Sequence, residues 1–201
     1  MKLMDFDGLF DEKLSQYMEE NKGKYTEKQW ENIIPRLYQK FGDTYVAKVK
    51  CTPKEYYARM TDEELTATLS AHLKEQIPVP DFLCCEIEGR NCTEALLSLL
   101  KSDDGETVSY AINLVGADER AFPNYFSMIT ENKFDEDIRD AAVEKLKENA
   151  DKATEAALKF YKEGTAKEYM LEILSRAKKR DEGIFRILLD EFLSDVGRVP
   201  M

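Results

Sequence analysis

Residues 135–146, with the sequence DEDIRDAAVEKL, decide the fold of this chain. Ile138, Ala142 and Leu146 recur every four positions and therefore share one face of a helix. Asp135 precedes this apolar pattern, where its carboxylate can cap the free amides of a helix amino terminus. The stretch therefore predicts an amphipathic helix that buries one face in a protein core.

The same apolar spacing occurs twice more along the chain. It starts at Val108, thirty residues before Ile138, and at Met170, thirty-two residues after it. Each of these three helices follows another apolar helix, so the repeating unit is a helix pair. Similarity at a period of 20–50 residues is the signature of stacked supersecondary units. One pair buries too little apolar surface alone, so the sequence predicts neighbouring pairs that share a continuous core.

Residues 135–146 resemble the second helix of a HEAT repeat. That helix opens with an aspartate and continues with an aliphatic–arginine pair, small residues and a leucine. The matching residues are Asp137, Ile138, Arg139, Ala141, Ala142 and Leu146. Pro123 in the preceding helix is also HEAT-like, whereas Ser109 and Leu171 replace the arginine in the neighbouring repeats. The resemblance covers about residues 92–180 and implies an all-α, right-handed α-solenoid of stacked helical hairpins, but it says almost nothing about function.

Helix signals also fill the rest of the chain, and no stretch shows the alternation and hairpin turns of β-strands. The predicted helices span residues 5–21, 27–41, 53–60, 62–76, 82–88, 92–101, 105–116, 121–131, 136–148, 152–163, 166–178 and 182–195. Four of them start with a capping box, in which a threonine and the side chain three residues later each bond a free amide. The four threonines are Thr26, Thr52, Thr61 and Thr165. Pro35 is expected to kink the second helix or to end it early.

The segment 77–81, Ile-Pro-Val-Pro-Asp, marks the predicted domain boundary, because its prolines stop one helix and stiffen the connection to the next. Residues 1–80 are predicted to form an aromatic-rich helical segment that packs on the array. Residues 81–201 are predicted to form the HEAT-like repeats with a C-terminal capping helix. Four residues of the first segment follow helical spacing and are expected in its core: Trp30, Ile34, Leu37 and Phe41.

The charge balance argues against several classes of partner. The 201 residues include 29 lysines and arginines against 40 aspartates and glutamates, which gives a formal net charge of −11. Nucleic-acid binding depends on cations that neutralise phosphates, so neither nucleic acid nor an anionic membrane is expected to bind. A basic protein or peptide suits this negative field better. Some HEAT-like proteins are DNA glycosylases with a basic groove, and this acidic chain fits that function less well.

One basic run is an exception to the acidic composition. It consists of Arg176, Lys178, Lys179 and Arg180. Cations at the carboxyl end of a helix complement the partial negative charge there, so we expect this role for the run.

No apolar run is long enough to cross a bilayer, and the first residues lack the apolar core of a secretory signal. We therefore expect a cytoplasmic protein whose cysteines are reduced and buried. The four cysteines are Cys51, Cys84, Cys85 and Cys92. Cys92 follows Asn91 near a predicted helix start and is the best placed of them for thiol reactivity.

The sequence offers little support for a metal, a cofactor or a catalytic residue. His72 is the only histidine, which excludes most zinc sites and histidine-activated nucleophiles. It lies beside an apolar helix face with Leu65 and Leu69, so we expect a structural, hydrogen-bonded side chain. Three acidic clusters precede helices and are expected to cap them: Asp5/Asp7/Asp11, Asp103/Asp104/Glu106 and Asp135/Glu136/Asp137.

The second helices of the pairs are expected to line an inner surface. Helical phase predicts which side chains face solvent there, opposite the buried faces. These candidate partner-binding residues are Tyr110, Asn113, Asp140, Glu144, Glu172 and Arg176. They would form a ladder with charges of both signs, which suits the binding of a polar peptide or protein segment. The sequence therefore favours a protein-interaction or scaffold module.

Two further hypotheses stay open at the sequence level. One is an enzyme that uses carboxylates and tyrosines in a cleft between the aromatic-rich segment and the repeats. The other concerns the last helix, whose apolar residues cover more than half of its circumference. These residues are Ile184, Phe185, Ile187, Leu188, Leu189, Phe192, Leu193 and Val196. They are expected either to be buried between the two preceding helices or to support self-association through Phe185, Leu189 and Phe192.

Overall fold

The computed structural model describes residues 3–90, 92–131, 133–179 and 181–196, with side chains described up to Leu193. Within these residues the chain forms twelve α-helices and no named strand, so the all-α prediction is confirmed. Each predicted helix is present, and its ends lie within two residues of the expected positions.

The chain divides into two compact units, residues 1–96 and residues 97–201. Six helices begin in the first unit: α1 Phe6–Glu20, α2 Glu27–Gly42, α3 Pro53–Ala58, α4 Asp62–Lys74, α5 Asp81–Arg90 and α6 Thr93–Leu99. Six follow in the second unit: α7 Gly105–Val115, α8 Phe122–Thr130, α9 Glu136–Glu148, α10 Ala150–Lys162, α11 Lys167–Arg176 and α12 Glu182–Val196.

The division between the units lies later in the chain than the expected boundary at residues 80 and 81. Helix α5 packs against α3 and α4, which places it in the first unit. The proline-rich segment 77–81 therefore connects two helices of one unit. Prolines can end a helix within a domain as well as between domains, so they mark a connection without showing whether a domain ends there.

Side-chain caps start most of the helices as the sequence predicts. The capping boxes at Thr26, Thr52 and Thr61 are all present. The acidic clusters also supply caps, since Asp5, Asp104 and Asp135 accept hydrogen bonds from the first turns of α1, α7 and α9. These contacts satisfy amides that have no partner inside their helix.

The expected capping box at Thr165 is wrong. Helix α11 begins after Ala166, which has a left-handed backbone with φ of 45° and no side-chain cap. The amide of Thr165 instead donates to the carbonyl of Phe160 in α10. Gly164, with φ of 79°, turns the chain at this point. Thr165 therefore belongs to the closing turn of α10, where glycine is the usual residue in the left-handed position.

Helix α2 continues through Pro35 to Gly42, so the proline does not end it early. Of the four residues expected in the core, only Phe41 is fully buried, whereas Trp30, Ile34 and Leu37 are half-buried. The four residues therefore share one face of α2 as expected. Over most of the helix, however, this face is only partly covered by the core.

Aromatic contacts form much of the core of the first unit. Phe6 meets the rings of Tyr56 and Tyr57 edge to face, with centroid distances of 5.4 and 5.7 Å. Phe82 of α5 stacks on Tyr38 of α2 with the centroids 4.5 Å apart and the rings nearly parallel. Such pairs stabilise a fold beyond the apolar area that they bury.

In the second unit α9 packs against α7, α8, α10 and α11. The second helices of the predicted pairs, α7, α9 and α11, are therefore neighbours in the order of the sequence. Their apolar faces are buried as expected, with Ala141 alone half-buried. The buried residues are Val108, Ala111, Ile112, Val115, Ile138, Ala142, Leu146, Met170, Ile173, Leu174 and Ala177.

Candidate interaction surfaces

The predicted partner-binding residues lie on α7, α9 and α11 of the second unit. Asn113, Asp140, Glu144, Glu172 and Arg176 are exposed, and Tyr110 is half-buried. All six are on the solvent side of helices whose opposite faces are buried. The helical phase read from the sequence therefore gives the right exposure for five of the six residues, whereas Tyr110 is partly covered.

Lys147 joins two of these residues across neighbouring helices. Its ammonium group lies 2.5 Å from Glu144 on the same helix and 3.2 Å from Glu172 on α11. The hydrogen bond to Glu144, supported by that to Glu172, raises the pKa of Lys147 above its ordinary value. The lysine side chain is only 14% exposed, so its charge is partly shielded from solvent. The structure thus brings Glu144 and Glu172 together around one cation.

Tyr169 and Arg139 extend this surface and were not among the predicted site residues. The guanidinium of Arg139 lies 5.9 Å from the centre of the Tyr169 ring, a cation–π contact between α9 and α11. Burial, followed by the negative charge of Asp140, raises the pKa of the Tyr169 hydroxyl. Asp140 therefore lies close to an aromatic hydroxyl. The sequence contains one signal for Tyr169, because this aromatic residue directly precedes Met170, which is buried.

The basic run begins at the last residue of α11, and hydrogen bonds to two of its backbone amides hold the part that follows the helix. The carboxylate of Asp151 on α10 accepts hydrogen bonds from the amides of Lys178 and Lys179, at 2.7 and 3.1 Å. These two bonds hold the pKa of Asp151 below its ordinary value. The lysine side chains are exposed. Arg180 of the same run lies outside the described residues.

The terminal helix α12 exposes an apolar stripe. Phe185, Leu189, Phe192 and Leu193 are 60%, 43%, 65% and 57% exposed. Ile184 is buried, and Ile187 and Leu188 are half-buried. Burial between the preceding helices therefore accounts for one side of α12 but not for the side that carries Phe185, Leu189 and Phe192. The side chain of Val196 lies outside the described residues.

A groove of about 650 Å³ lies between α8 and α10 in the second unit. Its apolar lining includes Phe126 and Phe160, whose ring centres are 5.4 Å apart. Glu119 and Lys152 form an ion pair of 3.3 Å at its rim. The groove lies on the first helices of the pairs, whereas the predicted partner-binding residues lie on the second helices.

The first unit has a larger groove of about 890 Å³, bounded by α2, α3 and α5. Tyr38, Asp81, Cys85 and Glu86 are among its lining residues. The Tyr38 hydroxyl donates a hydrogen bond of 2.6 Å to Asp7. Burial, followed by this hydrogen bond, raises the pKa of Tyr38, so the hydroxyl keeps its proton and is a poor acid here. The groove gathers carboxylates but does not present a tyrosine prepared for acid–base chemistry.

His72 is fully buried, as expected of a structural residue, but the expected hydrogen bond is wrong. Neither of its ring nitrogens has a hydrogen-bond partner among the described residues, and the same holds for the buried hydroxyl of Tyr57. Buried polar atoms without partners carry a desolvation cost. The apolar neighbours that predict burial of His72 cannot also supply a polar partner.

The cysteines are unbonded, and their burial differs from the expectation. Cys51 and Cys92 are buried and Cys84 is half-buried, whereas Cys85 is exposed. Burial raises the pKa of Cys84 and of Cys92 to about 11 in each case. Cys92 is therefore a protonated, inaccessible thiol, and the structure does not support its reactivity.

Within the described residues, no group of three or more histidine, cysteine, aspartate or glutamate side chains is arranged to hold a metal ion. No helix in this part of the chain is both long and apolar enough to cross a membrane.

Comparison with known proteins adds no relative, because no family model, no curated protein and no solved structure matches the chain.

Proposed function

We propose that the chain is a protein-interaction module whose second unit is a HEAT-like α-solenoid. In this proposal α7, α9 and α11 present one shared surface to a polar segment of a partner protein. The surface consists of Tyr110, Asn113, Asp140, Glu144, Glu172 and Arg176, extended by Arg139, Lys147 and Tyr169.

The observation that carries the proposal is the contact between α9 and α11 through Lys147. The three second helices are neighbours in sequence order, and their buried faces carry equivalent residues. Lys147 links Glu144 and Glu172 on the solvent side of this layer. A repeated layer with a continuous polar side is the arrangement that repeat proteins use to bind extended partners.

The charges of the surface favour a partner segment with basic side chains. Asp140, Glu144 and Glu172 are exposed carboxylates, and only one partly shielded lysine lies between the two glutamates. An arginine or lysine of a partner can share these carboxylates at the surface. Asp140 and Tyr169 add an acceptor and an aromatic face beside them, which suits an arginine.

Charge reversal on this surface tests the proposal. The variant Asp140→Lys/Glu172→Lys changes two exposed acids of α9 and α11, and its matched control, Glu155→Lys/Glu163→Lys, changes two exposed acids of α10 and the turn that follows it. Both variants alter the net charge equally. Affinity capture with mass spectrometry should recover a set of proteins with the wild type and with the control that the first variant loses.

Capture retained by both variants would contradict the proposal, because binding would then not depend on this surface. Loss of capture with both variants would also contradict it, because general charge and not this surface would then determine binding. Thermal unfolding of each variant checks that the fold is retained.

A further inference from the structure

Helix α12 carries an apolar stripe that the described part of the chain leaves largely exposed. Phe185, Leu189 and Phe192 are separated by four and three residues, the spacing of the contact positions in two-helix packing. Leu193 lies beside Leu189 and broadens the stripe. All four side chains are about half exposed or more. On the other side of the helix, Ile184 is buried and Glu191 accepts a hydrogen bond of 2.7 Å from Tyr161, so α12 is anchored with the stripe facing outward.

The flank of the stripe carries two opposite charges. Arg186 follows Phe185 and Asp190 follows Leu189, so both lie on the same side of the stripe, one helical turn apart. Both residues are exposed. The ion pair that Arg186 makes with Glu182 is long, at 3.9 Å, and both side chains are highly exposed. Such a pair contributes little, so Arg186 can exchange it for another carboxylate.

This pattern is complementary to itself when two helices pack antiparallel. A two-fold axis beside Leu189 places Leu189 against the same residue of the second copy and Phe185 opposite Leu193. It also places Arg186 of one copy beside Asp190 of the other. The two positions are offset by only about 3 Å along the helix axis. The interface then has two reciprocal ion pairs, as two-fold symmetry requires. Parallel packing about a two-fold axis would instead place the two charged flanks on opposite sides of the interface, where the charges of one copy cannot pair with those of the other.

We propose that two copies of this chain associate through α12, packed antiparallel about a two-fold axis near Leu189. The size of the stripe sets the strength of this association. A large apolar side chain buries roughly 150–250 Å², so the four partly exposed side chains offer about 400 Å² per copy. Standard interfaces use about 800 Å² per partner, so the dimer is weak and forms at high local concentration.

Sedimentation velocity over protein concentrations from about 10 μM to about 1 mM tests the association, since interfaces of this size have weak affinities. The wild type should shift towards a dimer across this range. Leu189→Asp places a charge at the centre of the stripe and should keep the protein monomeric. Glu163→Arg is the control for charge. It lies outside α12, changes the net charge by as much as an Asp190→Arg variant, and should leave the association unchanged.

A charge exchange tests the antiparallel geometry. Arg186→Asp and Asp190→Arg each replace two attractive pairs by two repulsive ones, and each should weaken self-association about fivefold or more. An equal mixture of the two variants restores both pairs in a mixed dimer. The mixture should therefore associate at least as well as the wild type, and more strongly than either variant alone.

Three results would overturn the proposal. One is a wild type that stays monomeric throughout, which would assign the stripe to a different protein. Another is a dimer that persists in Leu189→Asp. The third is a mixture that associates no better than its components. Far-UV circular dichroism and thermal unfolding of each variant confirm that loss of association is not loss of folding.

Discussion

At the residue scale, two glycines in the first unit play opposite roles. A Cβ atom added at Gly42 would lie 2.6 Å from Cε1 of Phe82 and 2.9 Å from Cε of Lys54. Nothing lies within 4 Å of a Cβ added at Gly89, inside α5. The absence of a side chain at Gly42 allows Phe82 to pack against α2 and to stack on Tyr38.

We expect Gly42→Ala to destabilise the protein by about 1–3 kcal/mol, because Phe82 must move from a packed position. Gly89→Ala is the matched control and should stabilise it by about 0.5–1 kcal/mol, because alanine restricts the unfolded chain and favours helix. Urea unfolding of both variants measures the two free energies. A stabilising effect of Gly42→Ala would contradict the packing of Phe82 described above.

Asp7 makes the stability of the first unit depend on pH. Burial raises the pKa of Asp7 above its ordinary value of 3.8, and nearby Asp81 adds to the effect, although the hydrogen bond from Tyr38 lowers it. Folding therefore favours the protonated carboxyl. The resulting stabilisation is fully present below the unfolded pKa and is lost as the pH rises through the folded pKa.

We therefore expect Asp7→Asn to raise the melting temperature at neutral pH, because the amide keeps an acceptor for Tyr38 without the buried charge. Near pH 4 the gain should shrink, since the raised pKa favours proton uptake by wild-type Asp7 as the pH falls, which removes the charge. Thermal unfolding at both pH values measures this difference. Asp11→Asn, at an exposed position of the same helix, is the control, and an equal gain there would contradict this account.

At the element scale, local sequence signals locate helices well because helices are stabilised by local contacts. The capping boxes at Thr26, Thr52 and Thr61 depend on residues three positions apart, and all three are present. The same pattern at Thr165 is misleading because the chain turns at Gly164 and the amide of Thr165 bonds a carbonyl of the preceding helix, which it closes. A short motif cannot show which of two adjacent helices it serves.

Contacts between elements are less visible in the sequence. Asp151 of α10 bonds the amides of Lys178 and Lys179, and the sequence contains no spacing that links these residues. The same is true of Lys147 and Glu172, which lie on different helices. Helical phase predicted which side chains are exposed, but not which of them meet.

The Asp151 contact yields a prediction for the connection between α11 and α12. Asp151→Ala removes the acceptor for both amides, so hydrogen exchange at Lys178 and Lys179 should accelerate markedly. Asp151→Asn retains an amide oxygen and should show a smaller change. Exchange followed by NMR measures each amide separately. Unchanged exchange in the alanine variant would show that these hydrogen bonds do not hold the turn.

At the scale of the whole molecule, the sequence predicts the class of fold but not the limits of its units. Periodic apolar residues predict burial because burial of one helix face is what stabilises a helix in a protein. The proline-rich segment 77–81 suggested a boundary that α5 extends past, since α5 packs on α3 and α4. The grouping of helices into units depends on the total area that they bury against each other. No single segment of the sequence shows this area.

The proposed binding surface depends most on α9 and α11 lying side by side with their polar faces together. Zero-length cross-linking with a carbodiimide, followed by mass spectrometry, tests this directly because it joins only lysines and carboxylates in contact. We predict a link between Lys147 and Glu172, which lie 3.2 Å apart on different helices. The Lys152–Glu119 pair, at 3.3 Å, is the positive control. A map that contains the control link but lacks the Lys147–Glu172 link would contradict the proposed surface.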